Sequence, residues 1–139
     1  MKKMINTAFF YAILAMAGGV FYREFTKFNS FTGRTNLGFL HVHLFVLGMF
    51  FFLIAALLDK QLKVTKHPKF KWFYGFYNAG LITTATTLIA RGIVQVLGTS
   101  LSKAMDASLS GIAGLGHILL GAGIVLYFVM LRRQLEKNT

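Results

Sequence analysis

The chain contains no cysteine, a single proline and only four acidic residues among its 139. Absence of thiols excludes disulfides, thiolate metal sites, iron–sulfur clusters and the CxxCH attachment of a c-type haem. The four carboxylates, Glu24, Asp59, Asp106 and Glu136, all fall at helix ends or in loops, so none of them supports a metal site within the apolar part of the chain. The scarcity of acid also leaves a formal net charge of +11.

What is abundant is apolar. Hydrophobic residues make up 55% of the chain and the mean hydropathy is +0.61, a balance that a soluble domain of this size does not carry. Apolar segments run over about 4–22, 37–58, 71–98 and 110–131, each long enough at about 1.5 Å per residue to cross about 30 Å of hydrocarbon. Backbone groups in lipid must be satisfied within each segment, which favours helices joined by brief connections. The expected fold is all-α: one domain over 1–139, an integral membrane antiparallel four-helix bundle. A charged start, Lys2 and Lys3, before an apolar run ending in LAMAGG resembles a signal peptide. The apolar run continues to Tyr22, and it is read as the first helix.

Charge distribution predicts orientation. Lys2 and Lys3, then Lys60, Lys63, Lys66, Lys69 and Lys71, then Arg132, Arg133 and Lys137 gather at the N-terminus, the second connection and the C-terminus. By the positive-inside rule these segments are cytoplasmic, as are both termini. Only Arg23, Lys27, Arg34 and Lys103 occupy the first and third connections, which are expected outside. A basic loop beside a membrane reads as contact with anionic lipid headgroups, and no nucleic-acid partner is expected. His67, beside Pro68 in that loop, reads as a solvated histidine, and Trp72, Phe73, Tyr74, Phe76 and Tyr77 as an interfacial aromatic belt.

Ionisable groups inside the membrane are costly and raise a functional hypothesis. His41 lies four residues into the second helix from Leu37, about 6 Å deep, while His117 lies seven from Ser110 and Arg91 seven from Gly98, about 10 Å each. All three fall in the outer half of their spans. His41 and His43 are two residues apart, about 160° around a helix axis, so they serve opposite sides and cannot chelate one ion together. Small residues flank several of these positions: Ala8, Ala12, Ala15 and Gly19 on the first helix, and Ser110, Gly114, His117 and Gly121 on the fourth. The third helix carries a polar line, Gly80, Thr84, Thr87, Arg91, Gln95 and Gly98, that should face protein or water. Imidazoles on facing helices, apolar walls and an arginine for a propionate suit non-covalent haem b, with His41, His43 and His117 as axial candidates and Arg91 as the propionate partner. Copper or zinc on the same histidines is the alternative cofactor. The expected function is therefore haem binding for electron transfer, haem handling or gas sensing, with a redox partner for the first. A small transporter or channel using the polar line of the third helix is the alternative.

The segment LHVHLFVLG on the second of four helices resembles the HxH helix of the haem-copper oxidase catalytic subunit, whose fold repeats four helices about an approximate threefold axis. It also resembles small uncharacterised bacterial four-helix membrane proteins that share this HxH segment. The resemblance implies a homotrimer in a bacterial cytoplasmic membrane, with His41 of one subunit and His43 of its neighbour binding haem between them. It implies no oxygen reduction, because the chain carries no second histidine cluster or tyrosine partner for a copper centre.

Overall fold

The computed structural model describes residues 1–138, the side chain of Asn138 excepted. They form four long helices and no strand. α1 runs Lys2–Phe28, α2 Leu37–Leu62, α3 Phe70–Leu97 and α4 Lys103–Asn138, and each is long and apolar enough to cross a membrane. α1, α2 and α4 outrun the apolar stretches that predict them, while α3 matches its stretch to within one residue at each end. α4 begins at Lys103 rather than Ser110, because hydrogen bonding continues through polar residues wherever no proline or glycine stops it. Two ends carry left-handed caps: Lys63 (φ 49°) after α2, its N–H donating to the Asp59 carbonyl at 2.9 Å, and Gly98 (φ 63°) after α3.

Long-range hydrogen bonds make the bundle antiparallel. At one end the Met1 ammonium donates to the Asp59 carboxylate at 2.8 Å and Gln134 Nε2 donates to the Lys63 carbonyl at 3.5 Å. This gathers the start of α1, the α2–α3 turn and the last turns of α4, and it is here called the basic end. At the other, the histidine end, the Thr35 hydroxyl donates to the Gly92 carbonyl at 3.0 Å and the Asn36 N–H donates to Gln95 Oε1 at 2.7 Å. α1 packs along α2, α2 along α3, and α3 along α4, while α4 meets α2 through Phe51–Leu62 and the turn that follows. Side chains also tie α1 to α3, with Thr7 and Tyr74 hydroxyls 2.7 Å apart and the Tyr11 hydroxyl donating to Asn78 Oδ1 at 2.7 Å.

Packing follows helical periodicity on α1, where Met4, Thr7, Ala8, Tyr11, Ala15 and Gly18 are buried. The small-residue stripe is thus partly confirmed: Ala8 and Ala15 are in the core, and Gly18 replaces Gly19 as the buried glycine. The basic half of the core is aromatic, built on Tyr11, Phe52, Phe73 and Tyr77, with Phe51 stacked on Tyr77 at 4.2 Å. Phe73 and Tyr77 are 0% exposed, so they are core residues and not part of an interfacial belt. Trp72, 65% exposed, fits the belt reading, whereas Tyr74 is half-buried against Thr7. Burial won over interfacial placement because α2 supplies Phe51 and Phe52 on the facing side. α3 and α4 approach closely at glycines: a Cβ on Gly80 would run into the Leu120 main chain, and one on Gly123 would lie 2.9 Å from Tyr77 Cα.

Candidate functional site

α2 is not a uniform helix. It is α-helical over Leu37–His43, widens to π-helical over Leu44–Phe50, and returns to α over Phe51–Leu62. Such wide turns are rare and are frequently found at functional sites. Two contacts hold this one. The Tyr77 hydroxyl donates to the Leu47 carbonyl at 2.8 Å. Gly48 is pressed under Tyr11, where a Cβ would lie 2.5 Å from the ring. The wide turn begins directly after His43. Nothing in the hydropathy pattern announces it; the only trace in the sequence is a glycine among bulky residues.

The histidines differ in what holds their rings. His43 Nδ1 lies 2.8 Å from the Phe39 carbonyl and His117 Nδ1 lies 2.8 Å from the Ala113 carbonyl. Since a carbonyl only accepts, each Nδ1 carries a proton, and in the neutral ring Nε2 is the acceptor. Metal-ligating histidines are oriented by this kind of hydrogen bond. His41 is different. Its ring packs over Gly19 of α1, with a Cβ on that glycine 3.7 Å from the ring carbon, and its buried Nδ1 has no hydrogen-bond partner. His41 thus faces α1, and ideal helical geometry turns His43 about 160° away from it.

Packing on α3 gives a common ruler for depth. Leu37 of α2 abuts Gly92, and Leu47 receives Tyr77, so Thr84, about midway between, stands level with the residues around His43. Gly116 of α4 packs against Thr84, where an added Cβ would lie 2.9 Å from the hydroxyl. His117, the next residue, thus shares the level of His43. The two are not on facing sides of one chain, because the histidine half of α2 packs on α1 and α3 and α4 runs along α3. His117 is exposed, and a Cβ on Gly111, Gly114 or Gly121 would meet nothing within 4 Å. That face of α4 is open.

The polar line on α3 is taken up by packing. Gly80, Thr84 and Thr87 are buried; the Thr84 hydroxyl has no partner, and that of Thr87 donates to the Thr84 carbonyl at 2.9 Å. Arg91 is bound to α4, 3.0 Å from Asp106 and 2.7 Å from Ser110. Gln95 holds the α1–α2 connection. Arg91 thus has a carboxylate partner that the shorter predicted α4 left in a loop. Among the described residues no three His, Asp or Glu side chains form a group able to hold a metal ion. A cleft of about 320 Å³ opens between α1, α2 and α3, lined by apolar groups including Gly18, Leu40, Leu44, Ala85 and Ile89. None of the histidines lines it.

His67 is not solvated: it is 6% exposed, its Nδ1 accepting the Lys69 N–H at 3.1 Å across Pro68. Burial, then the charges of Arg133, Lys137 and Lys69, hold its pKa below the usual histidine value. Its loop position in the sequence gave no sign that the ring would be buried.

No curated protein and no solved structure matches the chain. Residues 1–134 match the family described as Protein of unknown function (DUF2871), and with nearly the whole chain covered, this four-helix protein belongs to that family.

Proposed function

We propose that the protein binds haem b non-covalently in a bacterial cytoplasmic membrane, with its basic end inward, and serves in electron transfer. The observation that carries this reading is the pair of fixed imidazoles, His43 and His117, at a shared level, each with Nδ1 on a main-chain carbonyl at 2.8 Å, which in the neutral ring leaves Nε2 to ligate. An imidazole at hydrocarbon depth with an unused acceptor is costly unless something binds it. The open glycine face beside His117 leaves room for a flat ring, and apolar walls would keep water from it.

Haem supplies a one-electron couple at its iron, and two histidine ligands leave no vacant position for gas. Because α4 is separated from the histidine half of α2 by α3, the two nitrogens belong to two copies of the chain. A closed ring satisfies every such interface equally, and the likeness of LHVHLFVLG to the oxidase repeat favours three copies. His41 stands aside from ligation in this reading, as no carbonyl fixes its tautomer. Arg91 keeps Asp106 and positions α4, which sets the height of His117.

Absorption spectra of the detergent-purified protein, oxidised and dithionite-reduced, test the proposal. Wild type and His41→Ala should show a Soret band and sharp reduced α and β bands. His43→Ala and His117→Ala should each lose the low-spin spectrum. No Soret band in wild type expressed with added haem sinks the reading.

A further inference from the structure

The apolar cleft that includes Gly18, Leu40 and Ala85 does not end at the middle of the bundle. Toward the basic end it continues into a second cavity of about 410 Å³, and Tyr11 and Ile82 line both. The two make one groove between α1 and α3, and its halves differ in chemistry. The half toward the histidine end is apolar, whereas the basic half is lined by Lys3, Asn6, Thr7, Tyr74 and Asn78. Hydrogen bonds within the polar half use up its hydroxyl protons. The Thr7 hydroxyl gives its one proton to the Lys3 carbonyl at 2.9 Å, so in its 2.7 Å contact with Tyr74 the tyrosine donates. The Tyr11 hydroxyl donates to Asn78 Oδ1 at 2.7 Å, and Asn78 Nδ2 donates to the Tyr74 carbonyl at 2.8 Å. Left over among the described residues are the second N–H of Asn78, the side-chain N–H groups of Asn6 and the Lys3 ammonium, which forms no ion pair and lies 3.9 Å from the Tyr74 ring centroid.

All of these are donors, so the polar half calls for an acceptor. Asn78 lies eight residues into α3 from Phe70, about 12 Å along the axis. A phosphate drawn to that depth would give up its hydration, whereas a neutral carbonyl gives up far less. An acyl chain brings no acceptor at all. Tyr74, with Lys3 over its ring, and Asn78 are one helical turn apart, about 5–6 Å, which matches the separation of the two carbonyl oxygens across a quinone ring. We propose that this groove binds an isoprenoid quinone, with one carbonyl on Asn78, the other on the Lys3 and Asn6 donors, and the chain in the apolar half. A few polar groups that fix orientation in an otherwise apolar cleft of several hundred Å³ are the usual composition of a small-molecule site. The ligand enters from the bilayer, past the exposed Phe10 and Ile82. Binding does not depend on haem; only the use of the quinone as an electron carrier rests on the function proposed above.

The test titrates a short-chain menaquinone, isotopically labelled at its carbonyl carbons, into phosphatidylcholine nanodiscs holding the full-length protein, and follows the carbonyl stretch by infrared spectroscopy against empty nanodiscs. The protein should add a second band at lower frequency, from hydrogen-bonded carbonyls, that saturates at one quinone per chain. Two variants at exposed positions, which leave folding intact, probe the two halves separately: Lys3→Met/Asn6→Leu removes donors from the polar half, and Ala17→Trp fills the apolar half. Each should raise the quinone concentration at half-saturation about tenfold or more. The proposal is overturned if phospholipid keeps the groove and no second band forms, if the band grows without saturating as simple partition would make it, or if either variant leaves half-saturation unchanged. A Soret band recorded on the same samples keeps the two readings apart: a saturable quinone band without haem supports the site and counts only against the haem proposal.

Discussion

Individual side chains with identical sequence signals end up in different chemical states, and the difference lies in the hydrogen bonds around them. His43 and His117 are tied to carbonyls one turn back, His41 is left with a buried Nδ1 that has no partner, and His67 is buried with its Nδ1 on the Lys69 N–H. For His67 the consequence is a pH dependence of stability. Its folded pKa is below the unfolded value near 6.5, so below about pH 6.5 the unfolded chain binds a proton that the folded one resists. Stability should therefore fall as pH is lowered through that window and level off below the folded pKa. His67→Gln should flatten this part of a detergent-unfolding pH profile, provided anionic lipid is absent. Tyr77 makes a second prediction at this scale. Tyr77→Phe keeps the buried ring and strands the Leu47 carbonyl, a cost of about 1–3 kcal/mol in equilibrium unfolding, with faster amide exchange concentrated in Leu44–Phe50.

Among the elements, α3 and α4 depend on glycines in a way that can be separated from helix propensity. Gly80→Ala places a methyl group against the Leu120 main chain, which cannot give as a side-chain tip can. The expected loss is about 1–3 kcal/mol. Gly114→Ala, on the open face of the same helix pair, meets no atom and should cost nothing or stabilise slightly. A comparable loss in both variants would contradict the assignment of their faces. The polar line of α3 was legible in the sequence as a stripe facing protein or water, and its partners were not. Arg91 finds Asp106 only because α4 starts at Lys103. The wide turn of α2 was illegible for a similar reason: it is held by Tyr77 and Tyr11, distant in sequence, whereas local propensity would continue an ordinary helix.

In the whole molecule, α3 stands between α4 and the histidine half of α2, so the proposed ligation by His43 and His117 requires two copies of the chain. Co-expression of His43→Ala with His117→Ala chains tests this directly. Each variant alone has no complete ligand pair, but in random mixtures about a quarter of interfaces join the remaining His43 of one copy to the remaining His117 of the next. Recovery of a low-spin spectrum at that level places the haem between copies; no recovery places both ligands in one chain. Four apolar runs, the concentration of Lys and Arg in alternate segments, and imidazoles where lipid-facing residues belong are properties of composition and spacing, and the sequence alone determined them. Which face of each helix is buried, where α2 widens, that Phe73 and Tyr77 are core, and that His67 is covered were decided only by the tertiary structure. In a membrane most residues on a span are apolar whether they face protein or lipid, so hydropathy cannot choose the packed face. Close approach at glycines and hydrogen bonds between distant residues make that choice.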